Sequence, residues 1–267
     1  MNFIEIVNSY SNTEEYNNYI HDYFSKKTEE IDWLYEHRLY VEKNNLGFGD
    51  TAFHYMWLML LKHLQENISD RKLDFLEIGV FKGQVISLWD LISQKIGINS
   101  SIHAISPFKG KPEPKSKLLY KLLVRFNKKF KKLHESSNFY DDEDYHEIIA
   151  SHFSHYGLDF KKIITYPGFS TDQKILIDLK GISFDIIYID GDHTFDTVIK
   201  DINNYAPLIK PGGFLVMDDA SNNIPGSTFW KGHQQVSDAA EIIPGLGFSN
   251  VLNIGHNRIY QKLHVEN

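Results

Sequence analysis

The run FDIIYIDGDH, residues 184–193, decides the fold. Its first six residues are almost continuously apolar, the pattern of a central parallel strand covered on both faces. It ends on acid-glycine-acid, where the chain must turn, and residues 194–205 then read as a helix. Working outward, the same alternation repeats. Upstream, LDFLEI (73–78) is a short strand stopped by Gly79 and followed by a helix over 85–96. SIHAI (101–105) and IITY (163–166) are further strands. Downstream, Pro211-Gly212-Gly213 leads into a strand over 214–217. Strands alternating with helices predict a doubly wound α/β sheet. Residues 250–253 and 258–263, flanking Gly255-His256-Asn257, predict a closing antiparallel hairpin.

The first seventy residues have a different character. Residues 12–44 are polar and helix-compatible, with Asn12 or Thr13 before Glu14-Glu15 as a helix start. Within 50–66, Phe53, Met56, Trp57, Leu60 and Leu61 recur at helical spacing and predict a core-facing helix before a polar break. The chain therefore divides into a helical extension (1–70) and an α/β core (71–267), with a basic helical insertion at about 107–160. At 267 residues, 42% hydrophobic and 14% aromatic, it has material for a full core, which excludes a disordered tail protein. The absence of cysteine excludes disulfide scaffolds, thiolate metal sites and Cys nucleophiles. The longest apolar run, YMWLMLL (55–61), is far short of the ~20 residues of a membrane span. The first residues show neither a basic segment nor an apolar signal core. The expectation is a soluble, cytoplasmic protein.

Two motifs carry chemistry. In Glu77-Ile78-Gly79-Val80-Phe81-Lys82-Gly83, Gly79 permits a tight turn off the strand and Gly83 a close backbone approach to a ligand. The dinucleotide spacing G-x-G-x-x-G is missing, which argues against an NAD-dependent oxidoreductase. Glu77 suits a cationic or amino-bearing ligand better than a pyrophosphate. The segment resembles the first motif, E-x-G-x-x-x-G, of class I S-adenosylmethionine-dependent methyltransferases. That resemblance implies a Rossmann-like, mostly parallel seven-stranded sheet.

The second motif is a set of acids. Asp190 ends one apolar strand and Asp218-Asp219 ends the next, so in a parallel sheet they border one crevice. Three hard oxygen donors suit an octahedral Mg2+, and without a cation they would repel one another. Asp192 has two readings, as part of this set or as a cap of the following helix. The spacing resembles metal-dependent catechol-type O-methyltransferases, and more closely the macrocin, mycinamicin and aminocoumarin sugar O-methyltransferases, over roughly residues 73–220. The resemblance implies S-adenosylmethionine and Mg2+ (or another divalent cation) as cofactors, metal ligands Asp190, Asp218 and Asp219, and His193 as general base beside Asp190. It further implies cofactor contacts from Glu77, Gly79, Gly83, Ser106, Gly168, Ser170, Thr171 and Asp190. Gly168-Phe169-Ser170-Thr171-Asp172 is similar to the loop that holds adenine in this group, although Ser170 reads equally as a helix cap. Ser106 is a departure, since relatives place a ribose-binding acid there. His233 and His256 sit in no motif and are assigned no role.

Charge is uneven. Residues 1–70 hold twelve acids against five bases, whereas 109–132 hold ten bases against Glu113 alone. A uniformly basic nucleic-acid binder is excluded, while a local anion site is not. In residues 117–134, Leu118, Leu119, Leu122, Leu123, Phe126, Phe130 and Leu133 share a helical face opposite Lys and Arg. This basic helix reads as a solvated face, as a phosphate-binding lid for a nucleotide-linked or phosphorylated sugar, or as contact with an anionic membrane. The expected partner is a small molecule, a sugar or nucleotide sugar, with no nucleic acid. The acidic N-terminal helices either cover the active site or form a homo-oligomer interface. Alternatives to sugar O-methylation are a degenerate methyltransferase-fold binding protein and a methyltransferase for a non-sugar small molecule. The cephalosporin-hydroxylase-like class also shares these motifs.

Overall fold

A computed structural model of the chain describes residues 1–68, 71–108, 116–127 and 143–264. Four helices come first: α1 (Phe3–Ser9), α2 (Glu14–Glu29), α3 (Asp32–Lys43) and α4 (Ala52–Asn67). Then follow β1 (Leu73–Ile78), α5 (Gln84–Ile96), β2 (Ser100–Ser106), α6 (Lys117–Phe126) and α7 (Tyr145–His155). The remainder is β3 (Ile164–Pro167), α8 (Gln173–Asp178), β4 (Phe184–Ile189), α9 (Phe195–Tyr205), β5 (Ile209–Met217), α10 (Gln234–Ala240), β6 (Phe248–Ile254) and β7 (Asn257–Lys262). The seven strands lie in the order β3-β2-β1-β4-β5-β7-β6. β7 alone runs against its neighbours, so the expected hairpin closes one edge.

Period-two alternation sorts the strand side chains into two cores. Phe75, Ile186, Tyr188, Phe214 and Val216 face one side, packed with α1, α2, α4, α5 and α7. Leu76, Ile78, Ile187, Ile189, Leu215 and Met217 face the other, with α8, α9 and α10. The N-terminal helices thus pack into the core on one face of the sheet. Trp57 of α4 meets Trp89 of α5 edge-on at 4.9 Å and Tyr188 of β4 at 5.2 Å. The seam also contains buried polar links. His37 of α3 contacts His54 of α4 at 2.9 Å and Ser87 of α5 at 3.0 Å, with His152 of α7 alongside. Burial pushes the His54 and His152 imidazoles down, to about 3 and about 4, which holds them neutral.

β5 begins earlier than the sequence pattern indicated. Ile209 already pairs with Phe184, and a bulge absorbs Pro211-Gly212-Gly213 before the register resumes at Phe214. Of the basic helix, residues 117–126 are helical, with Leu118 and Phe126 70% and 72% exposed. Residues 128–134 and the first part of the acidic run lie outside the described residues. Among the described residues, no helix is long and apolar enough to cross a membrane.

Candidate active site

Each strand tip is extended by one ladder hydrogen bond. Gly79 donates to Ile105, Asp190 to Ile78 at 2.8 Å, and Asp218 to Ile189 at 3.0 Å. These bonds set Gly79, Asp190 and Asp218 side by side at the carboxyl ends of β1, β4 and β5. A cavity of about 1130 Å³ opens above them. Of the residues singled out from sequence, Glu77, Gly79, Ser106, Gly168, Ser170, Thr171, Asp190, His193, Asp218 and Asp219 line it.

The acids do converge, but the structure partners them with histidines that sequence reading left without a role. Asp190 and Asp218 sit against each other, so each carboxyl acts on the other's ionisation. Burial, then the charges of Asp218 and Asp219, raise the Asp190 carboxyl well above its usual range, although 31% of its side chain is open to the cavity. Burial would also raise Asp218, but the His256 charge and hydrogen bonds from His256, Asp190 and Tyr188 outweigh it and hold Asp218 low. His256 Nε2 lies 3.2 Å from Asp218 Oδ1. Burial disfavours the imidazolium, yet Asp218 overrides that and raises His256 to about 9. Asp219 is raised by burial and by Asp218, and its Oδ2 lies 3.5 Å from both His193 Nε2 and His233 Nε2. Among the described residues, two trios of donors have ligand atoms within 4.8 Å of one another: His193, Asp219 and His233, and Asp218, Asp219 and His256. Asp190 belongs to neither trio.

The glycine loop differs from its sequence reading at one position. Gly79 has φ +98°, and a Cβ there would lie 1.8 Å from the Asp190 carbonyl oxygen, so the loop and the β4 tip touch backbone to backbone. Gly83, expected to admit a ligand, does not line the cavity. It sits at φ +88° as the N-cap of α5, and a Cβ would lie 2.9 Å from Ile149 of α7, so the close approach of that helix also needs a glycine here. Glu77 accepts a hydrogen bond from the backbone of Ile86 in the first turn of α5, where the helix dipole favours an acid. Its Oε2 is buried without a partner. Burial, with a smaller push from Asp218, raises the Glu77 carboxyl to about 8.

That shift gives a signed prediction. The fold favours protonated Glu77, so its contribution is full below the unfolded value near 4.5 and is lost as pH rises toward about 8. Glu77→Gln, which keeps the α5 contact, is expected to match the wild type at pH 5 and to be more stable at pH 8.5, by up to about 5 kcal/mol. Ligand-free thermal melts at both pH values check it. A variant that tracks the wild type at both would show that Glu77 is not held protonated.

Ser106 is buried and donates to the Val80 carbonyl at 2.7 Å, which ties β2 to the glycine loop. Asp172, not Ser170, occupies the N-cap of α8, and it accepts from Phe169 N at 2.8 Å. The cap reading of Ser170 is thereby removed. Asp192 forms a local turn through Thr194 N at 2.6 Å while still lining the cavity.

The N-terminal helices reach the same cavity. Asp50, just before α4, contacts His21 of α2 at 2.9 Å and lies 4.0 Å from His256. Its one hint in the sequence is the glycine pair of Gly47-Phe48-Gly49-Asp50. The loop between β5 and α10 is clamped to α2. Asn18 Oδ1 accepts from Ser227 N and Thr228 N, Asn17 donates to the Pro225 carbonyl at 2.7 Å, and His21 packs on Phe229. That loop carries Trp230 and His233.

Comparison with known proteins agrees with this layout. Protein R132 of Acanthamoeba polyphaga mimivirus is 28% identical over 188 residues, 69% of this chain and 66% of that protein, just under two thirds of its length. Among solved structures, the O-methyltransferase NovP superposes with a TM-score of 0.53 at 15% identity, over 79% of each chain. TomG, an O-methyltransferase of tomaymycin synthesis from Streptomyces achromogenes in complex with S-adenosylmethionine, gives 0.53 at 13% identity, over 94% of this chain and 99% of that one. Both share the fold. A family model described as a methyltransferase domain matches residues 76–220, more than half of the chain and the whole stretch from β1 to the Asp218-Asp219 tip. The chain belongs to that methyltransferase family, with the class I S-adenosylmethionine-dependent fold.

Proposed function

We propose that the protein transfers the methyl group of S-adenosylmethionine to a hydroxyl oxygen of a small sugar-type acceptor, free, phosphorylated or nucleotide-linked. The observation that carries the reading is the convergence of Asp190, Asp218, Asp219 and His193 on one cavity beside the Gly79 turn. Gly79, Glu77, Ser106, Gly168, Ser170 and Thr171 line that cavity and are the residues this reading gives to the cofactor, with buried Glu77 offering an acid to its amino group.

The acid set fits a hard divalent cation, because Asp190 and Asp219 are pushed up by burial and mutual repulsion that an added cation would relieve. Asp190, Asp218 and Asp219 would hold it, and when bound it would supply Lewis-acid lowering of the acceptor hydroxyl's pKa. The chain's own part is alignment and proton transfer. The acceptor oxygen attacks in line, a C–O bond forms as the sulfonium C–S bond breaks, and the hydroxyl proton passes to His193. Trp230, 63% exposed and donating to Asp219 Oδ1 at 3.3 Å, offers the acceptor ring a flat face.

Calorimetric titration of S-adenosylhomocysteine, with and without Mg2+, tests the cofactor half. Micromolar binding is expected, followed by chelator-sensitive methylation of a sugar or nucleotide-sugar panel. No binding in either condition would move the degenerate binding fold into first place.

A further inference from the structure

We propose that His193, Asp219 and His233 form a site for a borderline transition-metal ion such as Zn2+ or Co2+, which shares Asp219 with the carboxylate set and adds two imidazoles of its own. Two imidazoles and one carboxylate is the donor choice of nitrogen-preferring ions, whereas Mg2+ prefers oxygen throughout. The spacing suits such an ion. Both imidazole nitrogens lie 3.5 Å from Asp219 Oδ2, and one donor atom from each residue falls within a 4.8 Å group. A tetrahedral ion with ligand bonds of ~2.0–2.1 Å has ligand–ligand edges of roughly 3.3 Å. A charge-assisted hydrogen bond would instead close to about 2.8 Å.

The trio is held in place by contacts that do not involve its donor atoms. Asp219 sits at φ +51°, a left-handed backbone that a non-glycine residue rarely adopts away from a constrained site. His233 N donates to the Asp219 carbonyl at 2.8 Å, and Ala220 bridges to Gly232. A Cβ on Gly232 would lie 2.2 Å from that same carbonyl oxygen, so only glycine lets the two segments close. Trp230 Nε1 donates to Asp219 Oδ1, which leaves Oδ2 to the imidazoles, the arrangement by which an outer partner orients a metal-binding carboxylate. The His193 and His233 rings stack 4.5 Å apart at 24°. His193 itself is placed by the Asp192 turn at the end of β4. The side chains are 25%, 14% and 45% exposed, so an ion has access from the cavity mouth and a position open to water or an acceptor oxygen.

The site does not depend on methyl transfer. One consequence does rest on the proposed function: an ion on His193 removes the base, so occupancy and turnover exclude each other and Zn2+ would inhibit the Mg2+-supported reaction.

The test is Co2+ titration of the full-length protein in chelex-treated buffer, read by visible d–d absorption, with Zn2+ calorimetry in parallel. One equivalent is expected to bind at micromolar concentration or tighter and to persist in 10 mM Mg2+, an excess of about 1000-fold that oxygen-preferring Mg2+ cannot turn to advantage here. His233→Ala and, independently, His193→Ala should each weaken binding by about 100-fold, the loss of one of three protein ligands. Asp190→Asn should weaken binding far less than either histidine variant, since it removes a charge 3.9 Å from His193 Nε2 and not a ligand. Unchanged Co2+ binding in both histidine variants would overturn the proposal, as would an equal loss in Asp190→Asn. S-adenosylhomocysteine binding, measured on the same samples, reports on folding and on the methyltransferase reading separately. Loss of that binding with the cobalt bands intact sinks the reaction and leaves the metal site standing.

Discussion

Asp219→Asn is expected to lower kcat/KM for methyl transfer by at least about 1000-fold while leaving the ligand-free protein as stable as the wild type or more so. Asp219 is the residue common to every donor set in the cavity. Removing its charge takes away several kcal/mol of cation-based stabilisation, and about 4 kcal/mol corresponds to 1000-fold. Stability moves the other way. The Asp219 carboxyl is raised by burial and by Asp218, so the folded state already resists its ionisation. Asparagine tolerates the φ of +51° and keeps an oxygen for Trp230. Steady-state kinetics and a melt in metal-free buffer, on one preparation, measure both. Activity within tenfold of wild type would remove the cation from the mechanism.

Gly79→Ala should be severely damaging, about 2–5 kcal/mol in stability with loss of S-adenosylhomocysteine binding. Two penalties add. An L-residue at φ +98° carries roughly 1–2 kcal/mol of strain, and overpacking against fixed backbone adds about 1–3 kcal/mol. The Asp190 carbonyl, 1.8 Å from the new methyl, cannot swing aside because its strand tip is bonded to Ile78. Gly97→Ala is the internal control. It shares a positive φ of +75° but meets nothing within 4 Å, so it should show the strain alone. Equal urea-unfolding losses in the two variants would refute the crowding argument.

Much of this was legible in the chain itself, for physical reasons that also mark where legibility stops. The run 184–189 was readable as a buried strand because a strand covered on both faces must be apolar at every position, and β4 has those bounds. Asp190 and Asp218-Asp219 were readable as neighbours because adjacent parallel strands bring their carboxyl ends together. His256 was not. It reaches Asp218 only because β7 pairs antiparallel to β5, with Met217 opposite Arg258, and nothing local announces that pairing. His233 arrives through a backbone bond to Asp219 across a loop whose course depends on α2. The early start of β5 was hidden by Pro211-Gly212-Gly213, which reads as a turn and lies in the ladder only by way of a bulge. Helix α1 is announced by its own first residues. Asn2 and Glu5 form a reciprocal capping box, a spacing present in the first five residues. Gly83 has a second demand on it that the local pattern does not show, since a neighbouring helix needs the room a Cβ would fill.

The clamp between α2 and the loop carrying Trp230 has an evolutionary reading. Asn17 and Asn18 hold that loop by its backbone, at Pro225, Ser227 and Thr228, and take no part in the carboxylate cluster. A change at Asn17 or Asn18 would therefore tilt the aromatic wall around Trp230 without touching the strand tips of β1, β4 and β5. On the proposed function, descendants of this chain have a route to new acceptors through Asn17 and Asn18, two residues that do not line the cavity, with the transfer chemistry inherited intact.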